Sequence, residues 1–244
     1  MRTDSSFQFE AVSSKKVSDF ILKQLEEAII LKELIAGEQL PTERELSSIF
    51  NASRLTIREA LAELERRGLI ERRLGAKGGT FVLPLTDNSH KRNRLEIRQA
   101  WDCLTKIFEY RNIIEPETAF LAARRMNKDT LIQLRDYLDK SMTEDCTREW
   151  FRSLDVRFHL TIAKASANHY FESAVREIRT KINPALDLMP YNQRVKEKNI
   201  EGHTDLLHAL EKGDGERARE LMTLHIIDAK DAIYRRVFER EIDR

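Results

Sequence analysis

The chain has 244 residues, which fits one large domain or two small ones. Hydrophobic residues make up 41% of it, enough for a core, and charged residues reach 34% with a formal net charge of +1. This balance excludes a polybasic chain, so any surface for nucleic acid must be a local patch. Eight glycines and five prolines are few for a turn-rich all-β fold, and two cysteines argue against a disulfide framework.

We expect neither a targeting segment nor a membrane span in this chain. The opening residues lack the apolar segment and cleavage site of a signal peptide. No stretch approaches the roughly 18 consecutive apolar residues of a membrane span. We therefore expect a soluble, cytoplasmic, mainly helical protein without a membrane partner.

The first predicted element is a helix. Residues 14–35 place apolar side chains at i, i+3 and i+4 spacing, which predicts one amphipathic helix that stops at Gly37. Thr42 and Glu45 then form a Thr-x-x-Glu capping box, which predicts the start of a second, short helix.

A third helix and a hairpin follow. Ser53 is a second N-cap, and the helix it opens ends at Gly68. Two short extended runs, 69–73 and 80–83, flank a glycine-rich loop and predict a β-hairpin.

The remainder of the chain divides into a linker and a helical region. Residues 84–94 are polar without periodicity and predict a linker, and residues 95–240 carry helical patterns only. We expect breaks between these helices near Asn127, Cys146, Asn168, 184–190 and 213–215. The predicted fold is mainly α: a winged helix-turn-helix at 14–83, then an antiparallel bundle of six or seven helices.

The N-terminal elements predict DNA binding. A short helix, a tight turn and a second helix with basic residues at its start describe a helix-turn-helix. At about 100° per residue, Arg54 and Arg58 lie roughly 40° apart on the second helix, clear of its buried stripe. Arginine there can contact guanine or phosphate. The alternative is a small scaffold whose arginines are solvated or paired, such as Arg58 with Glu65.

Four segments carry a family resemblance: 40–46, 53–61, 64–70 and 79–82 resemble, in order and spacing, the GntR family of bacterial regulators. The resemblance implies DNA contacts by residues of both helices and of the wing, namely Arg44, Ser53, Arg54, Thr56, Arg58, Lys77, Gly78 and Gly79. Leu55-Thr56 departs from the Thr-Pro or Thr-Thr that the family often has, so base preference is expected to differ. Since one helix-turn-helix covers little DNA, we expect a homodimer on a pseudo-palindromic double-stranded operator.

The C-terminal region contains candidate metal ligands. Asp155 and His159 are four residues apart, which places both on one helical face. His203 and His225 lie at equal distances from Asp214, so a helical hairpin would bring them to the same height. The four could hold one divalent ion, although a histidine on an apolar face is more often a hydrogen-bonded core residue.

A second resemblance concerns this region. Residues 108–111 with Glu115-Pro116, then 155–159, His203 and 222–225 look like the FCD effector domain of the FadR-type branch. The resemblance implies that Asp155, His159, His203 and His225 coordinate zinc, nickel or another divalent ion. It also implies that the effector is a small organic acid or sugar acid whose carboxylate meets the ion.

Two arginines are candidate effector contacts. Arg111 falls on the inward face of its helix, where it could clamp a carboxylate in bidentate fashion or pair with Glu115 at i+4. Arg179, on a later helix, is the second candidate.

These residues predict a ligand-responsive transcriptional regulator rather than an enzyme. A metal-dependent hydrolase is the rival from another class, since an Asp and three His can also activate water. No second carboxylate stands at a spacing that would supply its general base. A third reading keeps DNA binding but gives the metal a purely structural role.

Overall fold

A computed structural model describes residues 17–75, 78–84 and 87–238 of the chain. In these ranges the N-terminal part is a three-helix unit with a two-stranded wing. Its elements are α1 (Val17–Ile30), α2 (Glu43–Ile49), α3 (Arg54–Arg66), β1 (Ile70–Arg73) and β2 (Gly79–Val82).

The predicted caps position the two helices of the helix-turn-helix. Thr42 Oγ1 accepts from the backbone N–H of Glu45, while the Glu45 carboxylate accepts from the backbone N–H of Thr42 at 2.7 Å. Ser53 Oγ accepts from the backbone N–H of Thr56 at 3.1 Å and opens α3. Each cap satisfies N–H groups that lack a partner within the helix, so local chemistry starts both helices where the sequence predicts.

Helix α1 ends earlier than predicted. The periodicity indicated 14–35, whereas the helix stops at Ile30 and Lys32 adopts a left-handed backbone with φ 57°. Residues 14–16 lie outside the described ranges. The N–H groups of Glu33 and Leu34 return to the carbonyl of Ala28 and close the helix end, which hydrophobic spacing does not reveal.

The wing forms in the predicted place. β1 pairs antiparallel with β2, with Ile70 opposite Val82 and Arg73 opposite Gly79. Gly79 has φ 157°, a backbone conformation that a residue with a side chain rarely adopts, which favours glycine at this position.

The C-terminal part is a bundle of seven helices in the described residues. They are α4 (Asp87–Gln99), α5 (Trp101–Arg125), α6 (Lys128–Met142), α7 (Arg148–Ala165), α8 (His169–Leu186), α9 (Gln193–Glu211) and α10 (Gly215–Phe238). The breaks between α5 and α10 fall near the five predicted positions, except that Pro184 lies inside the last turn of α8. The break at Ala100, between α4 and α5, was not predicted. The predicted linker also differs, because α4 begins at Asp87 within residues 84–94. No glycine or proline interrupts 87–99, so a helix can continue there despite the polar sequence.

The bundle core lies around α5, which packs along α10 and against α7 and α8. Phe108, Phe158, Ile182 and Met222 are among its fully buried apolar side chains. No helix in the described ranges is both long and apolar enough to cross a membrane.

The two parts also touch directly, apart from their connecting segment. Asn183 Nδ2 on α8 donates to the carbonyl of Ile30 at 2.9 Å, and Ser153 Oγ on α7 donates to the carbonyl of Lys32 at 3.3 Å. The end of α1 is therefore held against the bundle.

Candidate functional site

The exposed surface at the start of α3 is the candidate DNA interface. Arg54 and Arg58 are exposed there, as is Arg44 on α2, while Leu55 is 68% exposed. The opposite side of α3 is buried in the domain core. The helix therefore presents its basic N-terminal turns outward, the arrangement in which a recognition helix enters a major groove.

The arginine pairing differs from the alternative considered for the sequence. Arg58 Nε donates to Glu43 at 2.8 Å, whereas Glu65 accepts from Arg72. The Arg58–Glu43 pair is solvent-exposed, so it contributes little stability and phosphate could replace Glu43.

Several of the other predicted DNA-contact residues also have a structural role. Ser53 and Thr56 hydrogen-bond to each other at 2.8 Å in the cap of α3. Gly78 packs so tightly that a Cβ would lie 2.5 Å from the carbonyl oxygen of Arg73. Gly79 has a positive φ at the start of β2, and Lys77 lies outside the described residues. A DNA role for these residues stays a prediction.

The four candidate metal ligands meet inside the bundle. Asp155 and His159 come from α7, His203 from α9 and His225 from α10, and one donor atom of each lies within 4.8 Å of the others. The Nε2 atoms of His159 and His203 are 3.4 Å apart, and the ring centroids of His203 and His225 are 4.7 Å apart. We call these residues the four-ligand cluster.

Burial sets the protonation state of the four-ligand cluster. It lowers the pKa of His203 to about 3, despite the opposing effect of Asp155, and it lowers the pKa of His159 and of His225 as well. Burial by itself would raise the pKa of Asp155, but Arg152 and Arg179 hold that pKa well below its usual value. At neutral pH the cluster is one carboxylate and three neutral imidazoles, the state that binds a divalent cation.

Glu115 on α5 supports this cluster and was not predicted to do so. Its Oε2 lies 2.7 Å from Nδ1 of His159, which directs Nε2 of that imidazole toward the other ligands. Glu115 also accepts from Arg111 Nε at 2.6 Å and from Nη2 at 3.3 Å. The i+4 pair considered for the sequence is therefore present, and spacing gave no sign of the contact with His159.

Arg152 and Asn199 were also missed. Arg152 Nη1 and Arg179 Nη2 donate to Oδ2 of Asp155 at 2.9 and 2.5 Å, and Asn199 donates to its Oδ1 at 3.3 Å. Arg152 lies one helical turn before Asp155, and Asn199 lies one turn before His203. A search for polar residues at i±3 and i±4 from the predicted ligands would therefore have found both.

A cavity of about 730 Å³ opens beside the four-ligand cluster, and we call it the arginine-lined cavity. Nine lysine or arginine residues and two aspartates line it. Such an excess of one sign attracts anions. Within the described residues, three buried nitrogens of its arginines have no hydrogen-bond partner: Arg111 Nη1, Arg152 Nη2 and Arg179 Nε.

The winged helix-turn-helix and the bundle with its buried polar cavity together define the architecture of a transcriptional regulator. Comparison with known proteins bears this out. Residues 17–82 match the family of bacterial regulatory proteins named gntR, and residues 106–228 match the FCD domain. The chain belongs to the GntR family of DNA-binding transcriptional regulators and carries an FCD effector domain.

Its relatives are regulators, not enzymes. A provisionally named HTH-type regulator, RmpR of Mycobacterium gastri, is 30% identical over 93% of this chain and 84% of its own. A provisionally named L-lactate dehydrogenase operon regulatory protein of Escherichia coli is 30% identical over 88% of this chain and 85% of its own. The Uxu operon transcriptional regulator of Escherichia coli is 27% identical over 91% and 89%.

A solved structure shows the same fold. Escherichia coli McbR/YncC superposes with a TM-score of 0.56 and 19% identity, covering 92% of this chain and 99% of its own. Because the family and these relatives are transcriptional regulators, the alternative of a metal-dependent hydrolase is rejected.

Proposed function

We propose that this regulator binds a small organic acid or sugar acid in the arginine-lined cavity, beside a divalent ion held by the four-ligand cluster. Binding of the acid changes affinity for operator DNA. The observation that carries the proposal is the set of buried, unpartnered arginine nitrogens next to four convergent metal donors. Buried donors without acceptors are costly, and a carboxylate in the cavity would relieve that cost.

The donor set fits a divalent transition metal. One carboxylate and three neutral imidazoles suit zinc or nickel, and the contact between Glu115 and His159 is the outer-sphere support that such sites use. When bound, the ion supplies positive charge and open coordination positions to an acid. The side chains of Asp155, His159, His203 and His225 would hold it.

Arg111 and Arg179 are the proposed effector contacts. Both are buried, and each keeps one free nitrogen after its bonds to Glu115 or Asp155. Their carboxylate partners fix the guanidinium planes, so little side-chain entropy is lost when an acid binds. Two relatives are named for an L-lactate dehydrogenase operon and a Uxu operon, which supports an organic acid as the effector.

For the DNA side, we propose that a homodimer places two copies of α3 in successive major grooves of a pseudo-palindromic operator. Arg44, Arg54 and Arg58 are the proposed main contacts. Their exposure at one end of the helix-turn-helix supports this arrangement.

A purely structural metal is the second candidate, because the four ligands join three separate helices. One experiment separates the two. Zinc-loaded protein, purified without an affinity tag, is screened by thermal shift against L-lactate, D-gluconate, D-glucuronate and L-malate, and active acids are tested for their effect on binding to selected operator DNA. We expect at least one acid to raise the melting temperature and change DNA affinity. Stable zinc with no response to any acid would favour the structural role.

A further inference from the structure

Arg152 occupies a position between two cavities. It lines the arginine-lined cavity, and it also lines a second cavity of about 470 Å³ that includes Lys32, Leu34 and Gly68 of the DNA-binding domain. A side chain on α7 therefore stands between the effector site and the DNA-binding domain.

A series of ion pairs passes through this position. Arg152 Nη1 donates to Asp155 at 2.9 Å, and its Nε donates to Oδ1 of Asp187 at 3.2 Å. Oδ2 of Asp187 in turn accepts from Nζ of Lys32 at 2.7 Å. The four residues alternate in charge from the four-ligand cluster to the end of α1, and we call them the interdomain ion-pair series.

The series is shielded from water. The side chains of Arg152, Asp187 and Lys32 are 12%, 9% and 16% exposed. Screening is weak at such sites, so a change in the partners of one charge is felt by the next. A surface chain of ion pairs would not behave in this way.

Lys32 is held in an uncommon conformation by these contacts. Its φ of 57° is unfavourable for a residue with a side chain, and such strain persists where the surroundings fix it. Its carbonyl accepts from Ser153, and its ammonium group reaches Asp187. Helix α1 packs directly on α3, the recognition helix. A shift of Lys32 at the end of α1 would therefore also move α3.

We propose that Arg152 is a third effector-binding residue and that it transmits effector binding to the DNA-binding domain through Asp187 and Lys32. The inference rests on the proposed function, because it requires an anion in the arginine-lined cavity. Nη2 of Arg152 is buried and has no hydrogen-bond partner in the described residues, and Arg152 lines that cavity, so we assign this nitrogen as the donor to the anion.

An anion at Nη2 draws the guanidinium toward the cavity and weakens its bond to Asp187. Asp187 then keeps its ion pair with Lys32 but loses the one with Arg152. The position of α1 against the bundle changes as a result. The acid thereby has different contacts in the two arrangements, which is the condition for it to shift their populations.

The test uses full-length zinc-loaded protein, with L-malate as the probe. Operator DNA is selected from random duplexes by the wild type. DNA affinity is measured by fluorescence anisotropy with and without L-malate, and L-malate affinity by calorimetry. Lys32→Gln and Asp187→Asn break the series at residues that do not line the arginine-lined cavity. Arg152→Lys alters the proposed anion contact.

In the wild type we expect L-malate to change the DNA dissociation constant at least about 5-fold, the low end of allosteric coupling. Lys32→Gln and Asp187→Asn should reduce this change below about 2-fold while binding L-malate nearly as the wild type does. Arg152→Lys should lose both L-malate affinity and the change. Matched controls are Lys23→Gln on the exposed side of α1 and Arg157→Lys on α7, which should behave as the wild type.

Each of the other possible results would overturn a particular part of the proposal. Wild-type coupling in Lys32→Gln and Asp187→Asn would overturn transmission through the series. Unaltered L-malate affinity in Arg152→Lys would overturn the anion contact, as would zinc-loaded wild type that binds no L-malate. Wild type that binds L-malate without any change in DNA affinity would overturn transmission. Protein that retains no zinc or no DNA would contradict the proposed function instead.

Discussion

Oε2 of Glu115 lies 2.7 Å from Nδ1 of His159, so a carboxylate on α5 orients an imidazole on α7. The same carboxylate pairs with Arg111. Burial alone would raise the pKa of Glu115, but Arg111 and His159 hold it well below its usual value. Glu115 therefore joins the four-ligand cluster to an arginine of the cavity.

Glu115→Gln should weaken zinc binding about 10- to 100-fold, because a neutral amide replaces the carboxylate beside Nδ1 of His159 and supports the imidazole less well as a ligand. The dissociation constant is measured by competition with a chromogenic chelator. Glu109→Gln, at an exposed position on α5, is the control and should leave zinc affinity unchanged. Wild-type zinc affinity in a folded Glu115→Gln variant would contradict the supporting role.

Arg54→Ala and Arg58→Ala should each weaken operator binding by about 1–3 kcal/mol if the arginine contacts a base. Both side chains are exposed at the start of α3, so the fold should tolerate their loss. Gel shifts at fixed salt give the affinities. Arg66→Ala, at the far end of α3, is the control, and wild-type affinity in both test variants would refute the recognition-helix assignment.

The protein should be a homodimer at micromolar concentration, because a single helix-turn-helix has too little interface for a long operator. Light scattering coupled to size exclusion, with and without operator DNA, measures the mass. A monomer under both conditions would be incompatible with binding to a pseudo-palindrome.

The metal-free protein should lose stability as the pH falls from about 6.5 toward 3. Burial lowers the pKa of His159, His203 and His225 in the folded state, that of His203 to about 3. Below about pH 6.5 the unfolded chain therefore binds more protons than the folded chain, and protonation favours unfolding. Stability from these groups is present above pH 6.5.

Urea unfolding in EDTA at pH 7.5 and pH 5.5 tests this expectation. The midpoint should be lower at pH 5.5, and the difference should shrink in His203→Gln, which removes one of the protonation sites. His208→Gln, exposed on the same helix, should keep the full difference. Equal midpoints at both pH values in the wild type would show that the histidines do not remain neutral in the folded state.

Short sequence motifs predicted most elements of the N-terminal domain correctly. The caps at Thr42 and Ser53 and the β-hairpin follow from side-chain chemistry within a few residues, so the sequence contains their causes. The end of α1 was wrong by several residues, because the left-handed Lys32 is stabilised by contacts with the distant bundle.

In the candidate site too, contacts that follow from sequence spacing were predicted, and contacts that depend on the packing of separate helices were not. Equal spacing from Asp214 was enough to place His203 and His225 together, since an antiparallel hairpin converts spacing into height. The contacts of Glu115 with His159 and of Arg152 with Asp187 depend on how separate helices pack, and periodicity in one helix does not determine its neighbour. The direct contact between the two domains was missed for the same reason.

Asp155, His159, His203 and His225 are proposed to hold one divalent ion. Elemental analysis of tag-free protein, purified without chelator and again after reconstitution and dialysis, measures the metal content per chain. We expect close to one zinc or nickel ion per chain in the wild type and in His208→Ala, and little or none in His203→Ala. A wild type without stoichiometric metal after reconstitution, or undiminished metal in His203→Ala, would contradict this proposal.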